Sequence, residues 1–310
     1  MEKLYDIEHK KRKKAEQVAD NYYHEWLAER EAKDQALAKQ VYKPASSLPD
    51  SCYLNDDLLD FNFNGAEEII GAGLFGTVKR CQYKGNIVAV KCFKTAVTSL
   101  CSTKRSVLHE AKVLLNLKSH RSIPTLLGVC LEKEPLKLVM QCYGIEGQTL
   151  SLYSVCKLEK HHNTMDECQW KSVIKDIAKA IEHVHACGYL HNDIKTDNVV
   201  LYKSDDTTFI PVVVDFGKSC RREGCTKCLS MEEQSEYRKK YRHIAPEVID
   251  GSYKQSIYSD IYSFGYLVDN IYTLVCKNST ALHSIVKQCY KVRTWNCRAS
   301  FLKVLLLLEK

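Results

Sequence analysis

Residues 188–201, GYLHNDIKTDNVVL, place acids, amides, a lysine and a histidine on one short loop beside an apolar run. Asp193 could accept a proton from a hydroxyl group or orient that group. Asn198 offers an amide oxygen to a hard cation, and Lys195 supplies a point charge for a phosphate. Each residue alone is equally typical of a helix cap or a turn. The cluster as a whole indicates a site for a phosphate and a cation.

A second group of charged residues lies at strand ends. The segment VVVDFG brings Asp215 from an apolar strand onto a glycine turn. An isolated acid there suits Mg²⁺, which takes oxygen ligands and bridges phosphates. The strand VAVK ends at Lys91, whose ammonium needs a partner if it is buried. Glu110, on the predicted helix SVLHEAKVLL, is the candidate partner, and the alternative is an exposed lysine at a strand end.

A glycine-rich segment, GAGLFGTV (residues 71–78), precedes that strand. Backbone N–H groups of such a loop can approach a phosphate closely because no side chain intervenes. Taken alone the segment is a weak signal, since glycine turns between strands are common.

The elements that would position these residues change along the chain. Four β-rich, turn-bounded segments, EEIIGAG, GTVKRCQY, NIVAVKCF and LKLVMQCY, surround one helical stretch, KRSVLHEAKVLLNLK. Beyond residue 150 the pattern is mostly helical, as in WKSVIKDIAKAIEHVHACG. This order predicts an α+β fold with a small β lobe followed by a larger α-helical lobe.

Residues 1–41 are highly charged, with apolar residues at helical spacing and no proline or glycine. They predict a long N-terminal helix that could self-associate, bind a partner, lie against the main domain or stay solvated. The basic run Lys10–Lys14 is typical of a nuclear-import segment or of one solvated helix turn. Residues 42–65 begin with a proline- and serine-containing break and are interpreted as a linker.

Composition limits the remaining classes. The formal net charge of +7 does not by itself indicate a nucleic-acid partner. Fifteen scattered cysteines, an odd number, argue against a disulfide framework. No segment reaches the roughly 18–20 apolar residues of a membrane span, and the charged N-terminus does not read as a signal peptide. We therefore expect a reducing, cytoplasmic setting, with a nuclear one as the alternative.

In their order along the chain, these motifs resemble those of the eukaryotic protein kinases over residues 66–310. The resemblance implies a two-lobed protein kinase-like fold, with an N-lobe at 66–143 and a C-lobe at 144–310. It also implies ATP and Mg²⁺ as cofactors and a protein substrate. The matching segments are GAGLFGTV, VAVK, Glu110, HND…N (191–198), DFG (215–217), APE (245–247) and SDIYSFG (259–265).

The resemblance assigns roles residue by residue. Asp193 and Lys195 are the implied catalytic residues, and Asn198 and Asp215 are the implied Mg²⁺ ligands. Met140 would be the gatekeeper behind the adenine, unless it only fills the core. The implied ATP-binding residues are Gly71, Ala72, Gly73, Gly76, Val78, Ala89, Lys91, Glu110, Met140, Gln141 and Cys142.

Other matches imply structural roles. Leu114, His191 and Phe216 resemble the apolar column that joins the lobes in the active form. Glu247 resembles the acid that forms a buried ion pair near the C-terminus, here with Arg298. Asp260 resembles the helix acid that braces the catalytic loop.

The residues that bear on substrate class and on activation partly match the family and partly depart from it. DIKTDN is the serine/threonine pattern, and the C-terminal CYKVRTWNCRASFLKVL resembles the tyrosine-kinase-like group. Asn192 replaces the family's usual arginine, which predicts activation without a phosphate at that position, because asparagine is uncharged. Lys240 stands where serine/threonine kinases usually have a threonine. The stretch between Asp260 and Arg298 is shorter than is usual in the family.

Three alternatives remain open at this point. A catalytically weak pseudokinase scaffold, acting through protein interaction, would accommodate the departures, and a small-molecule kinase of similar fold is a further possibility. The basic residues Arg238, Lys239, Lys240 and Arg242 favour an acidic substrate or are simply solvated. Cys220, Cys225 and Cys228, with His243, could form a zinc or redox site, or be free thiols.

Overall fold

The computed structural model describes residues 48–73, 76–94, 100–117, 119–145, 147–158, 165–204, 208–221, 230–292 and 294–309. Residues Leu48–Lys310 form one compact unit. The predicted N-terminal helix and its basic run Lys10–Lys14 lie outside the described residues. Within the described ranges, no helix is both long and apolar enough to cross a bilayer.

The small lobe is built on a curled antiparallel sheet. Its strand order is β1-β3-β4-β6-β5, and β2 pairs with β3. Lys84 and Gly85 join β3 to β4 in a two-residue turn with positive φ at both positions, a turn whose twist matches that of a hairpin. The strands are β1 (Leu59–Asp60), β2 (Glu68–Ala72), β3 (Gly76–Tyr83), β4 (Asn86–Phe93), β5 (Leu126–Cys130) and β6 (Lys137–Gln141).

Both faces of the sheet are covered. Helix α1 (Leu100–Asn116) contributes Val107, Ala111 and Leu114 to the main core. On β4 the run Val88–Phe93 is buried throughout, as expected of a strand between two layers. The strand therefore holds Lys91 inside the lobe.

Part of the predicted linker forms the second covering layer. Leu48 is buried in the core, Tyr53 bridges to Val129, and β1 pairs with the end of β3. A Cβ atom on Gly128 would lie 2.4 Å from the carbonyl oxygen of Cys52, so this close approach requires glycine. Residues 48–60 are therefore a folded part of the small lobe; we call them the N-terminal strap.

The large lobe is mainly helical. An Asp166–Gln169 capping box begins helix α3, which buries Trp170, Ile174 and Ile181 on one face. This helix and α6 pack into one apolar core that also takes in α8. The helices are α2 (Leu152–Lys157), α3 (Glu167–Ala186), α4 (Met231–Lys240), α5 (Pro246–Ile249), α6 (Ile257–Leu274), α7 (Thr280–Cys289) and α8 (Phe301–Leu308).

Short strands in the large lobe carry the two loops of interest. The loop that includes His191 and Asp193 lies between β8 and β9, and Asp215 lies two residues after the end of β10. Asn192 and Asp215 both have φ of 65°, in the left-handed region that asparagine and aspartate tolerate best among non-glycine residues. The strands are β7 (Leu150–Ser151), β8 (Tyr189–Leu190), β9 (Val199–Lys203), β10 (Phe209–Val213) and β11 (Cys220–Arg221).

Candidate active site

Lys91 sits between two carboxylates. Its Nζ donates to Glu110 Oε2 at 2.8 Å and to Asp215 Oδ1 at 2.7 Å. Burial alone would lower the pKa of Lys91, but the two neighbouring carboxylates outweigh it and raise the pKa. Lys91 therefore stays protonated, and the predicted Lys91–Glu110 pair is confirmed.

Asp193 is buried and accepts hydrogen bonds on both carboxylate oxygens. Oδ2 accepts from Lys195 Nζ and from Asn198 Nδ2, each at 3.0 Å. Oδ1 accepts from Lys218 Nζ at 2.9 Å and pairs with His243 Nε2 at 3.0 Å. Burial raises the pKa of Asp193, but the His243 hydrogen bond and the charges of Lys218 and Lys195 hold it well below its usual range. The carboxylate is therefore ionised at neutral pH.

Asp260, at the start of α6, binds the backbone of the loop that carries Asp193; we call residues 191–198 the catalytic loop. Its Oδ2 accepts from His191 N at 2.8 Å and its Oδ1 from Asn192 N at 2.9 Å. His185 Nε2 lies 2.8 Å from Oδ2 as well. The carboxylate is fully buried, which would raise its pKa, yet these hydrogen bonds and the nearby histidines lower it. The predicted bracing role of Asp260 is confirmed.

Asn198 and Asp215 are the described residues that fit a divalent cation. Asn198 uses Nδ2 to donate to the Asp193 carbonyl oxygen at 2.8 Å and to Asp193 Oδ2, which leaves its amide oxygen as the ligating atom. Asp215 gives Oδ1 to Lys91, and its side chain is 37% exposed. An amide oxygen and a partly solvated carboxylate match the oxygen ligands and retained water that Mg²⁺ prefers.

The glycine segment forms the turn between β2 and β3. Gly73 N donates to Gly76 O at 2.9 Å across this turn. A Cβ atom on Gly76 would lie 2.2 Å from the Cys92 carbonyl oxygen, so only glycine fits there. Gly71 pairs with Val78 and Ala72 with Thr77. Leu74 and Phe75 lie outside the described residues.

The predicted adenine-contacting residues adjoin on β4 and β6. Ala89 pairs directly with Met140, which is buried, and Val88 pairs with Gln141. Gln141 N already donates to Thr125 O at 3.0 Å, so that group is not free for a ligand. Cys142 follows, and burial raises the pKa of its thiol. Met140 is therefore part of the core, and its role as gatekeeper stays a prediction.

Two structural predictions are confirmed by contacts. The rings of His191 and Phe216 lie 4.7 Å apart, and Leu114 belongs to the same core as Phe216. Arg298 makes two parallel hydrogen bonds to Glu247, at 2.5 and 2.8 Å, in the interior of the large lobe.

Other findings were not predicted. No sequence motif predicted that Lys218 and His243 contact Asp193, although Lys218 follows DFG and His243 lies just before APE. Lys240, for which repulsion of Lys195 and an outward orientation were both possible, is exposed at the end of α4. Cys225 and Cys228 lie outside the described residues, and the described part of the chain has no group of three or more histidine, cysteine, aspartate or glutamate side chains placed to hold a metal ion.

Comparison with known proteins agrees with this geometry. Residues 65–302 match the protein kinase domain family. A tyrosine kinase receptor, Cad96Ca of Drosophila melanogaster, is 30% identical over 66% of this chain and 27% of its own length. Calcium-dependent protein kinase 27 of Arabidopsis thaliana is 28% identical over 68% of this chain and 41% of its own. Serine/threonine-protein kinase TNNI3K of Mus musculus is 27% identical over 71% of this chain and 24% of its own.

The chain thus spans between about a quarter and two-fifths of the length of these relatives. A protein kinase domain implies ATP as the phosphoryl donor and a protein as the acceptor. The two lobes, the Lys91–Glu110 pair and the family match lead to one conclusion: the chain belongs to the eukaryotic protein kinases and resembles their tyrosine-kinase-like group.

Proposed function

We propose that this protein is an active, Mg²⁺-dependent serine/threonine kinase. The observation that carries the proposal is the convergence of Lys91, Asp193 and Asp215. Lys91 is bonded to Asp215, and Asp193 lies near enough to Asp215 for its charge to raise the pKa of that carboxyl. A cation and two acids so arranged suit a triphosphate that is bound with a metal ion.

Each residue then has a distinct task. Lys91 binds the α- and β-phosphates, and Glu110 holds Lys91 in place. Asn198 and Asp215 would hold Mg²⁺, which neutralises phosphate charge when it is bound. Lys195 adds positive charge next to the γ-phosphoryl group.

Asp193 orients the substrate hydroxyl for in-line attack. The hydroxyl oxygen forms the new bond to the γ-phosphorus, and the bond from that phosphorus to the leaving ADP oxygen breaks. The hydroxyl proton passes to Asp193. Because its pKa is low, Asp193 is a weak base, so it acts mainly by orientation and accepts the proton late.

Serine/threonine specificity rests on Lys195. Its Nζ contacts Asp193 Oδ2, so it bridges the acid that orients the hydroxyl and the expected position of the γ-phosphoryl group. The relatives include both serine/threonine and tyrosine kinases, so the preference is a proposal of its own.

An acidic substrate is the second part of this proposal. Arg238, Lys239, Lys240 and Arg242 are exposed around the C-terminal end of α4. Arg238 lies 3.6 Å from Asp250, a distance that leaves it open to exchange for a substrate acid. Peptides with acidic residues near the acceptor are therefore expected to have lower KM values than neutral ones.

We also propose that activity needs no phosphate beside Asn192. Its Nδ2 donates to the Lys218 carbonyl oxygen and to Cys220 Sγ, both at 3.1 Å, and so ties the catalytic loop directly to the segment after DFG. Asn192 borders a cavity of about 270 Å³ whose lining includes Lys218, and that lysine is paired with Asp193. Alanine at Ser219, Thr226, Ser230, Ser235, Tyr237 and Tyr241 is expected to leave activity in place.

The alternative is a scaffold that binds nucleotide without transferring phosphate. Asn192 and the short segment between Asp260 and Arg298 favour it. The test is transfer of labelled phosphate from Mg-ATP to an arrayed set of serine, threonine and tyrosine peptides. We expect transfer to serine and threonine peptides that is lost on Mg²⁺ chelation and in Asp193→Asn. Stabilisation by Mg-ATP without transfer would support the scaffold instead.

A further inference from the structure

The hydrogen bonds that the Asp193 carboxylate accepts leave no lone-pair position for a substrate hydroxyl. A carboxylate offers about four lone-pair positions. Two are filled on Oδ2 by Lys195 and Asn198, and two on Oδ1 by Lys218 and His243. A substrate hydroxyl needs one of these positions, so one donor must leave before the hydroxyl can bind.

The two donors on Oδ1 differ in how firmly they are held. The Lys218 side chain is 40% exposed, whereas that of His243 is 8% exposed. A flexible, partly solvated lysine exchanges its partner for water or ligand at little cost, while a buried imidazole does not. Lys218 is therefore the donor that gives way, and His243 is the one that remains.

Helix α6 fixes the position of His243 relative to Asp193. Ser263 Oγ donates to the His243 carbonyl oxygen at 2.6 Å. One turn earlier on the same helix, Asp260 accepts the backbone N–H groups of His191 and Asn192. A single helix thus fixes both the loop that carries Asp193 and the residue that contacts its carboxylate.

We propose that His243 is a positioning residue for Asp193. The inference rests on the proposed kinase activity and deepens it. His243 donates Nε2–H to Oδ1 and stops the carboxylate from rotating, while Lys218 gives its place on Oδ1 to the substrate hydroxyl. His243 itself touches neither ATP nor the hydroxyl.

The test compares His243→Ala, His243→Gln and Lys218→Ala with the wild type on one serine peptide. His243→Ala is expected to lower kcat by ~100-fold, the cost of a misplaced reacting group, with KM for ATP unchanged. In His243→Gln the amide Nε2 can donate in nearly the same place, so most of the lost kcat should return. Lys218→Ala should lower KM for the peptide, because no lysine then competes with the hydroxyl for Oδ1, and any change in its kcat should be far smaller than in His243→Ala.

Two measurements separate positioning from folding. All variants should share the wild-type thermal shift with Mg-ATP, and His283→Ala, an exposed histidine on α7, should match the wild type in every respect. Equal loss in His243→Ala and His243→Gln, full activity in His243→Ala, or a kcat loss in Lys218→Ala like that of His243→Ala would overturn the proposal. A wild type that transfers no phosphate would remove the proposed function itself, and with it the reaction that His243 serves.

Discussion

Two buried acids, Asp260 and Asp193, lie close together in the large lobe and are held in different ways. Asp260 accepts from two backbone N–H groups and one buried histidine. Asp193 accepts from side chains, and two of these are lysines that are 27% and 40% exposed. Backbone donors cannot leave without unfolding the loop, whereas lysines can turn to a ligand. The type of hydrogen-bond donor therefore distinguishes an acid that stabilises the fold from an acid that is proposed to bind the substrate.

A similar contrast holds between a buried glutamate of the small lobe and one of the large lobe. Glu110 and Glu247 are both buried glutamates paired with a cation. Lys91, the partner of Glu110, also pairs with a second carboxylate, that of Asp215, whose side chain is 37% exposed. Arg298, the partner of Glu247, is otherwise bonded to the Tyr258 carbonyl oxygen inside the lobe. We therefore expect loss of Glu110 to affect activity first, and loss of Glu247 to affect stability first.

The largest expected effect concerns Asp193→Asn. The amide cannot accept the hydroxyl proton, so kcat should fall by about 10³-fold. The loss of stability should be smaller than in Asp260→Asn, because the two lysines that lose their charged partner can reach solvent and the amide oxygen can still accept from a buried donor. Steady-state kinetics and thermal unfolding of the same preparation check both parts, and a large loss of stability would break the contrast with Asp260.

Asp260→Asn should reverse that pattern. An asparagine cannot accept from two backbone N–H groups and the histidine together, so a buried donor loses its partner. We expect a loss of about 3 kcal/mol in the free energy of unfolding. Urea denaturation at neutral pH measures it, and an unchanged midpoint would show that the Asp260 hydrogen bonds do not stabilise the fold.

A matched pair of glutamate-to-glutamine changes sharpens the second comparison. Glu110→Gln should lower kcat/KM for ATP by about 10- to 100-fold, since Lys91 loses the carboxylate that orients it. Glu247→Gln should leave kcat/KM of the folded fraction near the wild-type value but destabilise the protein, because Arg298 stays charged and buried. Both outcomes need kinetics and denaturation on both variants. Equal behaviour of the two would refute the distinction.

Acid should destabilise the protein through acids whose pKa is lowered in the fold, and Asp260 is one of them. Its pKa in the folded protein lies below that of an unfolded aspartate, which is about 3.9. Its contribution to stability is therefore complete above pH ~4, and it is lost as pH falls from there through the lowered pKa of the folded state. The slope from this one group is at most about 1.4 kcal/mol per pH unit. Urea denaturation between pH 5 and pH 3 should show a shallower decline in Asp260→Asn than in the wild type.

The smallest effect concerns the N-terminal strap. Leu54 packs on the small-lobe sheet beside Gly128, while the neighbouring Leu58 is 47% exposed. Leu54→Ala should cost ~1 kcal/mol of stability without lowering kcat. Leu58→Ala is the matched control and should cost less. If Leu54→Ala lowered kcat while stability held, the strap would be coupled to the active site.

The folded state of the N-terminal strap could not be predicted from the sequence. Residues 42–65 read as a linker because prolines and serines open the segment and its apolar residues follow no clear period. In the fold, Asp56 pairs with Lys137 at 2.8 Å, in a nearly buried ion pair. That pairing depends on a strand distant in sequence, so local pattern could not indicate it.

The two lobes and the Lys91–Glu110 pair could be predicted from the residues, because periodicity sets each strand and helix and a buried ammonium needs an opposite charge. The Glu247–Arg298 pair followed from the resemblance to the protein kinases. The donors that fill the carboxylate of Asp193 could not be predicted in either way. The chain brings Lys218 and His243 to that carboxylate from beyond the DFG turn and from just before APE, and their approach depends on the packing of the intervening backbone against α6.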